Sequence, residues 1–192
     1  MTAGLAMLPY SGRNEEARLG YARRLAIGID TVIVAFIDVF RNTSGQPLGG
    51  ATGPEALSTR ERLRWSRCRD LHWDLTTYAT GSSALLVGLP DNLPLRQAAA
   101  ALDSALSQLD ATAECDNIAS MMSAPQRWSP WQQQYETVAR RFYRDWYGQL
   151  RAIHERDRAF ARALNAVVPA ANRIAVPPGL PANAPYAGAA VR

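Results

Sequence analysis

Lysine is absent from this chain, and all 21 basic residues are arginine. Arginine presents a planar fork of donors that pairs with a carboxylate or phosphate through two hydrogen bonds, whereas lysine acts as a hydrated point charge. Three interpretations remain open: the codon usage of a GC-rich genome, selection for contacts with anions, and selection against lysine modification. The first of these is the simplest, so the missing lysines alone identify no function.

Cysteine is also scarce, since the chain contains only Cys68 and Cys115. Two cysteines far apart in sequence exclude a dense disulfide framework of the kind that staples small secreted domains. A single bridge is expected if the compartment is oxidising, and two free buried thiols are the simpler expectation otherwise.

Histidine is equally rare, with His72 and His154 the only two. Cys68 and His72 are four residues apart and share one face of a predicted helix, so with Cys115 and His154 they could complete a tetrahedral zinc site. Structural zinc sites draw their ligands from close pairs, and only one close pair exists here. These four residues are therefore weak candidates for a metal or ligand site.

A membrane-spanning run is missing as well. The longest apolar stretch covers residues 25–40 and is interrupted by Asp30 and Asp38, and it is shorter than the roughly 18 residues that a spanning helix needs. The N-terminal residues lack the charged and apolar regions of a secretory signal. We therefore expect a buried helix without a transmembrane span, and a cytoplasmic location.

Recognisable catalytic motifs are lacking too. The sequence contains no phosphate-binding loop, dinucleotide fingerprint, nucleophile elbow or haem-attachment motif. Their absence does not exclude an enzyme, but it favours a non-enzymatic function, and no cofactor is predicted.

What the sequence does contain is helical periodicity. Leu19, Ala22, Ala26 and Ile29 begin a three-four spacing that continues to Phe40, which is typical of one helix face. There is no strand-like alternation, and the last residues are rich in proline and alanine. We predict an all-α fold, a bundle of four principal helices with an extended C-terminal tail. The predicted parts are an N-terminal arm at 1–12, a helical bundle at 13–168 with helices at about 14–42, 58–89, 92–123 and 129–168, and a tail at 169–192.

Local signals set several of these boundaries. Ser58 and Glu61 form a capping-box pattern, and Gly81 predicts a kink or break in the second helix. Pro94 falls in the first turn of the third helix, and Ser129 with Pro130 marks the start of the fourth.

Arginines cluster on two of the predicted helices. The first cluster, Arg60 to Arg69, lies in the first turns of the second predicted helix. There the positive end of the helix dipole disfavours cations by about 0.3–1 kcal/mol each, so we expect acidic residues or an external anion to face these arginines. Two basic faces could bind nucleic acid or an anionic membrane surface, although a solvated face with intrachain ion pairs is the commoner arrangement. The candidate anion-binding residues are Arg60, Arg62, Arg64, Arg67, Arg69, Arg140, Arg144 and Arg151.

Three aspartates fall at positions where the pattern predicts burial or an apolar helix. Asp30 and Asp38 interrupt the apolar first helix, and Asp157 lies on the apolar stripe of the fourth. A buried carboxylate must be paired or protonated. The candidate partners are His72, His154 and arginines, and the default interpretation is a structural ion pair, with an acid–base pair as the alternative.

Aromatic residues concentrate at the start of the fourth helix. Because they are spread around more than one helical face, they cannot all enter one core stripe, and the remainder are suited to a partner interface. The residues nominated for that interface are Trp128, Trp131, Tyr143 and Tyr147.

Three functions follow from these patterns, in order of preference. The first is a non-enzymatic interaction or assembly protein that engages a protein partner or a second copy of itself. The second is an anion-binding module for nucleic acid or an anionic membrane. The third is a ligand- or metal-binding bundle, with an enzymatic role open, around the histidines and buried aspartates.

Overall fold

The computed structural model describes residues 8–41, 54–109 and 135–183. Within these ranges the chain forms four α-helices and no strand: α1 at Leu8–Arg41, α2 at Pro54–Leu86, α3 at Leu93–Ser107 and α4 at Tyr135–Val167. A single 3₁₀ turn follows at Ala170–Asn172, and the chain is extended beyond it. The predicted all-α helical bundle is confirmed.

The chain divides into two compact units, and α1, α2 and α4 each contribute a segment to both. Unit 1 contains residues 1–31, 76–108 and 152–179, and unit 2 contains residues 32–75, 109–151 and 180–192. Helices that are continuous in sequence therefore supply residues to both units.

In unit 1, α3 shows how a local signal starts a helix. The Asn92 side chain accepts a hydrogen bond from the Leu95 backbone N–H at 3.0 Å, and Pro94 lies in the first turn. This cap satisfies one of the four N–H groups that have no partner inside the helix. The buried face of α3 then consists of Leu95, Ala99, Leu102 and Leu106.

Two tyrosine–glycine contacts join α1 to α2 in unit 1. The Tyr78 hydroxyl lies where a side chain on Gly28 would be, and the Tyr21 hydroxyl lies where a side chain on Gly81 would be. Gly81 therefore does not break the helix, since α2 continues to Leu86. The missing side chain makes room for the Tyr21 hydroxyl, and the predicted break is absent.

Unit 2 is built around aromatic rings. Trp146 of α4 lies 5.5 Å from Phe36 of α1 and 5.6 Å from His72 of α2, measured between ring centroids. Trp65 packs against Phe142 at 5.2 Å. Burying each ring of this size contributes on the order of 2–3 kcal/mol, so these contacts between α1, α2 and α4 stabilise the unit.

The helix boundaries refine the predicted ones. α2 begins at Pro54, four residues before the capping-box pattern at Ser58, and α3 ends at Ser107. Residues 110–123 of the predicted third helix lie outside the described residues. The predicted start of the fourth helix at Ser129 lies outside the described residues.

Candidate functional site

Three titratable side chains come together inside unit 1. Asp30 is supplied by α1, and His154 and Asp157 are supplied by α4. A separation of three residues on a helix puts His154 and Asp157 on the same side, and both are only 1% exposed. The sequence had marked both aspartates for burial and had named His154 as a candidate partner.

His154 links the cluster to the C-terminal tail. Its Nε2 lies 2.8 Å from the Pro178 carbonyl oxygen, and its Nδ1 lies 3.4 Å from Asp30 Oδ1. Because a carbonyl oxygen can only accept, Nε2 is the donor in the first contact. The second contact is within ion-pair distance but lacks hydrogen-bond geometry.

Asp157 is the most unusual group of the cluster. Neither of its carboxyl oxygens has a hydrogen-bond partner among the described residues. Burial, with the nearby charge of Asp30 as the smaller cause, raises the pKa of Asp157 from 3.8 to about 8. The carboxyl group is therefore mostly protonated at neutral pH, where an ordinary aspartate is ionised.

The C-terminal tail returns along α4 and covers this side of the unit. The Asn165 side chain pairs with both backbone groups of Ile174, donating to the carbonyl at 2.8 Å and accepting from the N–H at 2.9 Å. Arg158 Nε donates to the Pro177 carbonyl oxygen at 2.7 Å, and its Nη1 pairs with Glu155. Proline restricts the preceding residue to extended conformations, which suits a segment held by side chains instead of a sheet.

A cavity of about 330 Å³ lies next to Asp157. Its polar lining consists of two aspartates and two arginines, and the rest is made by small or aliphatic residues of α1, α4 and the tail. The lining residues are Arg23, Ala26, Ile27, Asp30, Asp157, Ala161, Arg173, Ile174, Ala175 and Pro177.

A second, larger cavity of about 730 Å³ lies beside the first part of α1, and Arg23 lines both cavities. The Nε of Arg23 is buried and has no hydrogen-bond partner among the described residues. Val168, Pro169 and Asn172 close the other side of the larger cavity. The Nε of Arg23 is therefore a buried donor on a side chain that lines both cavities.

The residues predicted for a partner interface do not form one exposed surface. Tyr143 and Tyr147 are 1% and 2% exposed, and the Tyr147 hydroxyl donates to the Pro181 carbonyl oxygen at 2.6 Å. Their rings pack together at 5.8 Å and lie in the core of unit 2. Trp128 and Trp131 lie outside the described residues.

The predicted anion-binding arginines differ in exposure. Arg67, Arg69 and Arg144 are exposed, whereas Arg64 is buried. Arg151 is exposed and donates to the Ala182 carbonyl oxygen at 3.2 Å. The side chains of Arg60, Arg62 and Arg140 lie outside the described residues. The burial of Arg64 removes the central member of the predicted face on α2.

The predicted metal residues are not a set of free ligands. Cys68 is buried and disulfide-bonded, so it offers no thiolate, which corrects the expectation of free thiols. The other cysteine of the sequence, Cys115, lies outside the described residues. His72 belongs to unit 2 and His154 to unit 1, and the described ranges contain no group of three or more His, Cys, Asp or Glu that could hold a metal ion.

Sequence reasoning missed the tail and the side chains that hold it. The sequence does not predict Arg23, Asn165 and Arg173 as site residues, and it predicts an extended proline-rich tail that engages a partner, not one that bonds with α4. Asn165 is a polar residue in the last turns of a helix, and such residues commonly bond to backbone groups that follow, so that was the one available signal.

Comparison of the chain with models of known protein families, with curated proteins and with solved structures found no match. Among the described helices, none combines the length and the apolar character that crossing a membrane requires.

Proposed function

We propose that unit 1 is a binding module for a small polar ligand, which occupies the cavity next to Asp157. One observation carries the proposal: a carboxyl group that is 1% exposed lines a cavity while neither of its oxygens has a hydrogen-bond partner among the described residues. This is the third of the functions that the sequence suggested, without the metal.

The energetic argument starts from the cost of that group. Leaving a buried polar group without a partner costs about 1–3 kcal/mol, and buried polar groups in proteins are rarely left so. Strongly shifted pKa values also concentrate at functional sites. A ligand with matching donors would remove the cost at Asp157, and this favours ligand binding over a purely structural role.

The size of the cavity supports the same conclusion. Its volume of about 330 Å³ lies at the lower end of the range for small-molecule sites. Since water in the liquid takes about 30 Å³ per molecule, the cavity of about 330 Å³ has the volume of about eleven water molecules and suits a ligand of up to about ten heavy atoms. Its apolar lining would bury the body of such a ligand while the two arginines and two aspartates set its orientation.

The test is a thermal-shift screen of small polar metabolites against the wild type and an Asp157→Asn variant. Ligands that raise the melting temperature of the wild type and not of the variant support the proposal. Asp91→Asn is the matched control, because Asp91 has a side chain that is 95% exposed. If no compound distinguishes Asp157→Asn from the wild type and from the control, the proposal is wrong.

An interaction or assembly function is the second candidate, and it is now supported by different residues. Trp73 and Leu63 on α2 of unit 2 are 64% and 62% exposed, and tryptophan is enriched where proteins bind one another. We propose sedimentation velocity of the wild type and a Trp73→Gln variant over a range of concentrations. Self-association that the variant abolishes supports this candidate, and concentration-independent monomers in both argue against assembly with a second copy.

A further inference from the structure

The hydrogen-bonding groups that lack partners in unit 1 define what a ligand must offer. When Asp157 is ionised, three buried oxygens are acceptors that make no hydrogen bond with the described residues: both oxygens of Asp157, and Oδ1 of Asp30, which lies 3.4 Å from His154 Nδ1. A primary ammonium group carries three N–H donors and no acceptor. The number and type of its donors therefore match the three oxygens.

The same cavity also contains a donor that requires an acceptor. The Nε of Arg23 is buried and makes no hydrogen bond in the described part of the chain. Arg173 lines the cavity as well, although its Nε already donates to the Asn165 carbonyl oxygen at 3.1 Å. A guanidinium group pairs best with a carboxylate or phosphate oxygen.

Charge balance separates the ligand classes. A simple amine would be attracted by Asp30 and Asp157 but would face the positive charges of Arg23 and Arg173. A simple carboxylate would be attracted by the two arginines but repelled by Asp30, and it would leave the Asp157 carboxyl without a cationic partner. A ligand that carries both charges satisfies the two acids and the two arginines together, since like charges repel and opposite charges attract over these short distances.

We infer that the ligand of this cavity is a small amino acid-like zwitterion, with its primary ammonium group on Asp30 and Asp157 and its carboxylate on Arg23. The inference rests on the proposed ligand-binding function and names the class of the ligand. The remaining lining is aliphatic, so the body between the two charged ends is short and apolar.

Binding of an ammonium group would also move a proton. Burial raises the pKa of Asp157 to about 8, so the free protein holds a proton there at neutral pH, and an ammonium group favours the ionised carboxylate. The titratable and charged groups around this carboxyl are Arg23 and Asp30 of α1, His154 and Arg158 of α4, and Arg173 of the tail. Binding near neutral pH therefore releases up to one proton, and affinity increases as the pH rises toward 8.

The experiment is isothermal titration calorimetry of the full chain with a matched series of four-carbon compounds. The series contains 2-, 3- and 4-aminobutanoate, butylamine and butanoate, and each titration is run in two buffers that differ in ionisation enthalpy. We expect at least one aminobutanoate to bind with release of a proton, and both singly charged compounds to bind at least about tenfold more weakly, because each leaves one charged pair unmade.

Variants then assign the two ends of the ligand. Asp157→Asn should abolish the proton release and lower the affinity for the best-binding aminobutanoate by at least about tenfold. Arg23→Gln should lower that affinity similarly, while the affinity for butylamine stays unchanged or increases. Asp91→Asn should behave as the wild type. The comparison of ligands on the wild type needs no variant to fold.

Three other outcomes would contradict the ligand class, the proposed function or both. Butylamine binding as tightly as the best aminobutanoate refutes the zwitterion. If none of the series binds while the thermal-shift screen yields a ligand that depends on Asp157, the class is wrong and the proposed function stands. If neither experiment yields binding that depends on Asp157, both proposals fail.

Discussion

Replacing Asp157 by asparagine should change how the stability of the protein depends on pH. The native pKa of this group is raised from 3.8 to about 8, while in the unfolded chain it returns to the ordinary value. Between these two values the native state holds a proton that the unfolded state has released. The stability of the wild type therefore falls as the pH rises through this window.

The magnitude follows from the size of the shift. Where one state holds the proton and the other does not, the free energy of unfolding decreases by about 1.4 kcal/mol per pH unit. Over the whole interval from 3.8 to about 8, this amounts to about 6 kcal/mol as an order of magnitude. Below 3.8 the contribution is complete, and above about 8 none of it remains. Asparagine has nearly the same shape and does not titrate.

The assay is urea-induced unfolding followed by far-UV circular dichroism, at pH values from about 5 to about 8. The difference between the Asp157→Asn variant and the wild type isolates this one group, because the other titrations are nearly common to both proteins. We expect the variant to gain about 1.4 kcal/mol relative to the wild type for each pH unit between about 5 and 7. Asp91→Asn should show no such trend, since its side chain is 95% exposed.

A constant difference across this range would refute the reasoning. It would mean that Asp157 is already ionised in the native protein, and that a partner, not a proton, balances its charge. The ligand site would then contain a permanently ionised carboxylate at Asp157, and no proton would be released when a ligand binds.

Further substitutions test the packing around the site. Gly28→Ala should destabilise the protein by about 1–3 kcal/mol, because the new methyl group meets the Tyr78 hydroxyl. Gly148→Ala has no atom within 4 Å of the new carbon and should stabilise the protein by about 0.5–1 kcal/mol. Equal effects of the two substitutions in urea unfolding would contradict the tyrosine contact. Asp103→Ala should cost about 1.5–3 kcal/mol in the same assay, since its Oδ1 accepts hydrogen bonds from two serine hydroxyls of α2 at 2.5 and 2.9 Å, and a loss under about 0.5 kcal/mol would rule out an important role for those bonds. Because Cys68 is disulfide-bonded, thiol titration of the denatured protein should detect no free thiol before reduction, and reduction should lower the melting temperature; a full complement of thiols would overturn the bond.

Much of the secondary structure could be predicted from the order of residues. The three-four spacing of apolar residues in α1 and α4 and the proline in the first turn of α3 are local signals, and a helix is built from contacts between residues a few positions apart. The same periodicity placed Asp157 on the buried face of α4, where it is found. A one-dimensional pattern therefore identified the key carboxylate of the site.

The burial of tyrosines on α4 and the effect of a glycine within α2 were harder to predict. Tyr143 and Tyr147 were assigned to a partner surface because they fall outside the main stripe of α4, yet both are buried. Gly81 was expected to break α2 and instead contacts the Tyr21 hydroxyl. Both outcomes depend on what packs against the helix, which helical periodicity cannot report.

The sequence by itself determined that the chain is helical, which faces of its helices are mainly apolar, and that three aspartates lie within its apolar helix segments. Only the tertiary structure decided that Asp30 lies beside His154, that Asp157 lines a cavity, and that the tail returns to bond with α4. The physical reason is the range of the interactions. Helix formation depends on neighbours within a turn or two, whereas the tail is held by single hydrogen bonds to side chains many positions away, and such bonds leave no periodic trace in the sequence.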